Sequence, residues 1–344
     1  MVSGTVVVTG AAGILGSHVA RRLAGDGHRV RGVDLRAGPT VDVVGDVRDG
    51  AAMTRVMDGA QALVHCAAAL PSYPAEQIRS VIVDGGRTVL AAAARARVAR
   101  VVHISSTAVY GLPSTVPTAE DHPRAPVDTY SAAKAAAEEI AEKLRADGVC
   151  LSIVRPKTFL GPGRMGLFSM LFEWADEGHH FPVLGKGDVR IQMLALSDLV
   201  DAVSLVLDAP DDVANDTYNI AAARFGTLRE DFQAVLDAAG HGKRVVALPA
   251  TPALAVLRVL QRLRLSPVYG RLLYKLTADS YVSVDKARER LGFVPRLSNR
   301  DAILGTYSWW REQRKEPGHA AHHAGPTSSD PWKQGVLAAA KVFF

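Results

Sequence analysis

A phenol and an ammonium lie four residues apart in Tyr130-Ser131-Ala132-Ala133-Lys134, and the Ala-rich continuation through residues 135–146 favours a helix. That spacing puts both groups on one helix face, one turn apart. A phenol is a poor base near neutral pH because its reference pKa is about 10, but a neighbouring lysine charge stabilises the phenolate. Such a tyrosine takes a proton from an alcohol while hydride leaves the same carbon, and in reverse it protonates the developing alkoxide. Tyr-x-x-x-Lys alone is common on helices. The run His103-Ile104-Ser105-Ser106-Thr107-Ala108-Val109-Tyr110-Gly111 adds weight, because it sets hydroxyls at the carboxyl edge of an expected parallel strand. Ligands bind at that edge in sheets of this kind.

A second constellation points to a dinucleotide. Thr9-Gly10-Ala11-Ala12-Gly13-Ile14-Leu15-Gly16 follows an apolar strand pattern and opens a helical one. Its glycines permit a tight turn, close backbone approach to a pyrophosphate, and phosphate oxygens on helix N–H groups. Asp34 ends the next expected strand, 18 residues after Gly16. A carboxylate there accepts bonds from a ribose diol and repels a 2′-phosphate, which favours NAD over NADP. Arg36 is the counter-signal, since it can pair with a phosphate.

These groups need a rigid frame. Short β-branched runs at residues 6–8, 30–34, 41–44, 62–65, 101–105 and 150–154 alternate with Ala-rich amphipathic stretches such as 14–23 and 89–99. This rhythm predicts a parallel sheet covered on both faces, with right-handed connections. A further strand is expected at 217–221. The expected division is a dinucleotide-binding domain over 1–156 and about 190–222. A smaller, irregular substrate-binding lobe covers about 157–189 and 223–316, followed by a 317–331 linker and an amphipathic tail helix at 332–344.

Composition narrows the classes. In 344 residues, 40 Lys+Arg against 35 Asp+Glu leave a net charge of +5, too little for a nucleic-acid protein, and none is expected as a partner. Cys66 and Cys150 make no disulfide framework and read as small buried-strand residues. A reducing, cytoplasmic setting is the expectation, since no run of ~18 apolar residues is present to span a bilayer. The segment 254–276 carries Arg258, Arg262, Arg264, Arg271 and Lys275 without an acid. It reads as a substrate lid, and the tail helix as docking on the body or a sister subunit. The alternative for both is peripheral contact with anionic lipid. His319, His322 and His323 sit on a Gly/Ser/Pro tract and read as unstructured rather than metal-binding.

Taken together, these motifs resemble the extended short-chain dehydrogenase/reductase superfamily, in its NAD-dependent epimerase/dehydratase group, from Val6 to about Trp310. The supporting residues include Asp46, His65-Cys66-Ala67-Ala68, Arg155-Pro156 and Leu291-Gly292-Phe293-Val294-Pro295. The resemblance implies a Rossmann-type doubly wound sheet with the smaller C-terminal lobe. It implies Ser106, Tyr130 and Lys134 as catalytic residues, with Lys134 also on the nicotinamide ribose. It further implies NAD contacts from Gly10, Ala12, Gly13, Ile14, Leu15 and Gly16, from Asp34, Leu35 and Arg36, and from Asp46 and Val47 at the adenine. Ala67, Ala68, Ala69, Pro156 and Thr158 would complete that set. Ser105 is expected only to pack, while Thr107 would touch substrate.

Departures from the family pattern bear on the reaction. Thr107 and Ala108 stand where dehydratases carry an Asp-Glu pair, so 4,6-dehydration is disfavoured. Ile191 stands where nucleotide-sugar enzymes place a diphosphate-clamping Arg, leaving Arg190 and Arg164 as stand-ins. Ile82 replaces a helix Asn of the family's proton relay, and Thr277-Ala278-Asp279-Ser280 replaces an Arg-x-Gly-Asp segment. The expected function is hydride transfer between NAD and a secondary alcohol or ketone carbon, of a sugar or nucleotide-sugar, by a homodimeric epimerase or dehydrogenase. The alternatives are a hydroxysteroid-dehydrogenase-like enzyme for a hydrophobic alcohol at a membrane surface, and a non-catalytic dinucleotide sensor.

Overall fold

The computed structural model describes residues 4–113, 115–164, 168–255, 278–315 and 341. The segments 256–276 and 332–340, and with them His319, His322 and His323, lie outside the described residues. Lys341 is described, and its ammonium pairs with Glu177 at 2.7 Å on the body of the protein.

The alternating pattern folds as expected. Strands β1 (Thr5–Thr9), β2 (Arg29–Asp34), β3 (Val43–Val44), β4 (Ala60–His65), β5 (Arg100–Ile104), β6 (Leu151–Pro156) and β10 (Thr217–Ile220) form one parallel sheet. Its order is β10-β6-β5-β4-β1-β2-β3. Helices α1 (Ile14–Gly25) and α7 (Leu196–Asp208) cover one face, while α2 (Gly50–Met57), α4 (Gly86–Arg95) and α5 (Thr129–Ala146) cover the other. Both faces are therefore apolar, which is why β1 reads as an unbroken run and is buried at every residue. Each valine so buried contributes roughly 1.5–3 kcal/mol.

The chain reverses its winding between β1 and β4, and the carboxyl ends of those neighbours open a crevice. Register across it is Thr9 opposite His65, and His65 opposite His103.

Two expected strands change their bounds. Residues 41–44 pair with β2 only at Val43 and Val44, because the Val41 amide closes a turn onto Gly38 O and the Asp42 carboxylate accepts the Gly32 amide at 2.7 Å. The sixth strand starts after Cys150 and runs through Arg155 and Pro156. Cys150 is thus a half-buried residue at the strand's mouth rather than a core one. A helical stretch the periodicity did not predict, α3 (Ala75–Arg79) with a π-turn over Ser80–Gly85, leads directly into α4.

The region expected to be irregular has its own core. Helices α6 (Phe168–Asp176), α9 (Leu228–Ala239) and α11 (Asn299–Lys315) pack with strands β8 (Phe181–Leu184) and β11 (Val245–Leu248). Phe172, Trp174, Phe181, Phe232, Tyr307 and Trp310 make edge and tilted ring contacts there. Strands β7 (Phe159–Leu160) and β9 (Leu194–Ala195) pair beside the central sheet. The remaining helices are α8 (Asp211–Ala214) and α10 (Asp285–Leu291).

Candidate active site

The crevice over β1 and β4 is shaped by missing side chains. Gly10 has φ +71°, and a Cβ on it would lie 2.8 Å from the Ala67 amide nitrogen. A Cβ on Gly16 would lie 2.1 Å from Gly10 O, so α1 approaches the loop closer than any other residue allows. Helix α1 starts at Gly13 with no side-chain cap and no acid in its first turn, leaving the amides and the positive end of its dipole for an anion. Asp34 accepts from the Ala12 amide at 3.0 Å and from the Arg36 amide at 3.1 Å, which locks the end of β2 to the glycine loop. The Arg36 guanidinium is 3.9 Å from the same carboxylate and exposed. A cradle that a Cβ would fill, an uncapped helix start and a carboxylate at the ribose position together fit a dinucleotide.

Other expected cofactor residues divide by exposure. Leu35 is 57% exposed beside the crevice, Val47 is buried, and Ile14 and Leu15 pack into the core. The Asp46 carboxylate is held by Arg48 through contacts of 2.5–3.0 Å, which keeps it below the usual carboxylate range. Of the three alanines after β4, Ala68 is exposed and Ala67 half-buried, while Ala69 is buried in the cluster that Tyr130 packs against.

Helix α5 begins where Asp128 and Ser131 cap each other's amides, at 2.7 and 3.0 Å. This puts Tyr130, half-buried, in the first turn and Lys134 one turn later. Lys134 is 4% exposed and its Nζ donates to Ile104 O at 2.7 Å. Burial pushes its pKa down to about 8. The bond ties α5 to the strand end that carries Ser106, so the tyrosine, lysine and serine expected to act together share one neighbourhood. Ser106 Oγ accepts the Ala108 amide at 3.1 Å, and Thr107 is buried with its hydroxyl 3.4 Å from Pro156 O.

Ser105 does more than pack. Its hydroxyl donates to Glu138 at 2.5 Å, and Glu138, fully buried one turn beyond Lys134, also accepts from Arg155 at 2.7 and 2.9 Å and from Arg124 at 3.1 Å. Arg155 continues to Tyr110 Oη at 2.7 Å, and Tyr110 donates to Asn219 at 2.8 Å. The catalytic-helix candidate is thereby bonded to β5, β6 and β10. A carboxylate at the i+4 position from Lys134, on an otherwise alanine face, was the available signal for Glu138.

Under Lys134 the sheet carries two neutral imidazoles. His65 bonds Thr9 Oγ1 at 2.7 Å and stacks on His103 at 5.5 Å. Burial, reinforced for His65 by His103 and for both by the Lys134 charge, pushes His103 down to about 3 and His65 well below its usual value. Burial also raises the Cys66 thiol to about 12, which leaves it unreactive.

On the far side of the cleft, the three positions expected to matter separate. Ile191 packs its side chain against the second core. Arg190 is exposed and stacked over Phe225 at 4.7 Å and Tyr281 at 5.3 Å. Arg164 lies over Phe159 at 4.2 Å and donates to its carbonyl at 3.2 Å. Thr158 is exposed, and its carbonyl accepts the Leu194 amide at 3.0 Å; Pro156 is buried within β6. Leu112 and Val127, 43% and 50% exposed, stand on the loop leading to Tyr130.

A doubly wound parallel sheet with a dinucleotide crevice at its switch point defines a Rossmann-type nucleotide-binding protein. More narrowly, the chain belongs to the NAD dependent epimerase/dehydratase family, whose model matches residues 6–221. NAD is the cofactor of that family. The uncharacterized protein y4nG of Sinorhizobium fredii is 32% identical, the alignment covering 97% of this chain and 85% of that protein. A 3 beta-hydroxysteroid dehydrogenase/Delta 5→4-isomerase of Mycobacterium tuberculosis is 28% identical over 92% of this chain and 94% of its own length. Among solved structures, the UDP-glucose 4-epimerase of Thermotoga maritima with UDP-glucose superposes with a TM-score of 0.74 at 22% identity, covering 90% of this chain and 99% of that one. At that identity the likeness concerns the fold. Among the described residues no helix is long and apolar enough to cross a membrane.

Proposed function

We propose that this protein is an NAD-dependent dehydrogenase of a secondary alcohol with a hydrophobic body, and that the second core around α6, α9 and α11 is its substrate lobe. The observation that carries the reading is Ile191. Its side chain packs against the lobe core, so an aliphatic group stands at the position where a diphosphate clamp needs a guanidinium. The apolar exposure of Leu112 and Val127 on the segment leading to Tyr130, and the similarity to a hydroxysteroid dehydrogenase along nearly the whole chain, support the same substrate class. This reverses the order expected from the sequence, which put sugars first.

In this reading Gly10, Gly13 and Gly16 with the start of α1 hold the pyrophosphate, and Asp34 holds the adenosine ribose. Bound NAD supplies the hydride acceptor. Tyr130 takes the alcohol proton, Lys134 lowers the phenol's pKa and holds the second ribose, and Ser106 orients the reacting oxygen. Buried Thr107 and Ala108 offer no acid–base pair for water loss. A second reading, a nucleotide-sugar epimerase, is favoured by Arg190, whose ring-supported guanidinium is exposed and prepared for an anion.

Two measurements decide between them: NADH formation from 3β-hydroxysteroids against conversion of UDP-hexoses, and calorimetry with UDP and dTDP. NADH formation without nucleotide binding is the expected result. Micromolar nucleotide binding with hexose conversion and no steroid oxidation would overturn the first reading in favour of the second.

A further inference from the structure

We propose that Asp231 and Asn299 form a positioning pair that fixes the wall between the central sheet and the substrate lobe, and thereby sets how tightly the second substrate is held. The proposal rests on the oxidoreductase reading above for its substrate, but not for its geometry.

The wall is the segment 190–194. Asn299, at the start of α11, accepts the Met193 amide at 2.8 Å and donates to Ile191 O at 2.8 Å, so its side chain imitates a neighbouring strand. It grips both peptide groups around Gln192. Gln192 does the same outward, donating to Ala222 O at 2.7 Å and accepting the Val282 amide at 2.8 Å. Backbone bonds complete the weave: Gln192 N to Ser280 O, Ser280 N to Arg190 O, Ala222 N to Met193 O and Leu194 N to Thr158 O, at 2.8–3.1 Å. The wall continues into the reacting side. Lys157 donates to Ser280 Oγ at 2.9 Å, and the adjacent Pro156 carbonyl faces the Thr107 hydroxyl. The exposed face of this wall carries Arg190 between Phe225 and Tyr281.

Asp231 on α9 completes the grip by accepting the other Asn299 amide hydrogen at 2.9 Å. It is 3% exposed. Charged neighbours face it from two elements, Glu230 on its own helix and Arg300 on α11, and Arg190 of the wall acts on Glu230. Burying a carboxylate opposes folding, and an apolar pair at these positions would serve a purely structural core better. What the polar pair adds is direction: one amide plane held by three partners, with the wall in one register.

The test uses the NAD-loaded full chain and the variants Asn299→Leu and Asp231→Asn. Amide hydrogen exchange reads the wall without a substrate. Expected for Asn299→Leu is exchange faster by about tenfold in residues 189–194 and 280–282, with the amides of β1, β4 and β5 unchanged. NAD affinity should stay within about twofold, while KM for whichever probe turns over, a 3β-hydroxysteroid or a UDP-hexose, rises about tenfold at nearly constant kcat. Asp231→Asn, which keeps an acceptor toward Asn299, should show about threefold on the exchange and KM readouts, and serves if the leucine variant does not fold. Exchange that is unchanged or uniformly faster overturns the proposal, as does a fall in kcat at constant KM. If neither probe turns over, the functional reading falls, and the exchange result alone upholds or overturns the pair.

Discussion

The crevice over β1 and β4 and the wall at 190–194 solve the same problem with opposite materials. In the crevice the deciding atoms are main-chain ones: the Gly10 carbonyl under Gly16, the Ala67 amide against Gly10, and the uncapped amides of α1. In the wall they are side chains standing in for strands, Asn299 and Gln192 above all. A site made of backbone accepts no Cβ at its glycines but is indifferent to most neighbours. One made of side-chain clips depends on each clip, and changing a clip re-aims the surface. The first suits a cofactor that stays the same; the second suits a substrate that varies among relatives.

The contrast can be broken most directly at Tyr130. Because the tyrosine belongs to the crevice side, Tyr130→Phe should lower turnover by ~10²–10⁴ while leaving NAD affinity and fold intact. Single-turnover hydride transfer at the wild-type rate would remove the tyrosine from the chemistry. A smaller effect concerns Asp34, locked to the Ala12 amide. NAD should bind at least ~10-fold more tightly than NADP, which corresponds to about 1.4 kcal/mol of repulsion and lost ribose bonding. Titration with both cofactors measures it, and equal affinities would mean that Arg36 outweighs the carboxylate.

A third effect lies on the wall side and is read in stability rather than in rate or affinity. Burial raises the Asp231 carboxyl from its ordinary 3.8 to about 6. The folded state then holds the proton better than the unfolded one, so this group stabilises the fold at low pH. That contribution is lost as pH rises from about 4 through about 6. Asp231→Asn should match wild type near pH 4 and gain on it through this window, keeping roughly 3 kcal/mol above it. Urea unfolding at a series of pH values reads the gain; a difference that stays flat across the window contradicts a buried, titrating carboxylate.

Legibility follows the same division. Gly10, Gly16 and Asp34 were readable because each meets a local constraint that few residue types satisfy, a Cβ-free backbone approach for the glycines and a carboxylate on the Ala12 amide at the end of β2 for Asp34, and such constraints leave a local pattern. Tyr130 and Lys134 were readable because one helical turn brings them together. Glu138 was missed although it continues that spacing, since its partners Ser105, Arg124 and Arg155 come from three separate segments. Asp231 and Asn299 left no local trace: they are 68 residues apart and meet only when α9 and α11 pack.

By itself, then, the amino-acid sequence determined the parallel sheet, the glycine loop and the one-turn Tyr130–Lys134 pair, because periodicity and short-range sterics act within a few residues. Tertiary packing alone decided that Lys134 is buried on the Ile104 carbonyl with a pKa near 8, and that Ile191 packs half-buried against the lobe core. It likewise decided that Asn299 holds the wall. Burial and hydrogen-bond partners are set by elements distant in the chain, and no spacing along one segment encodes which of them will arrive.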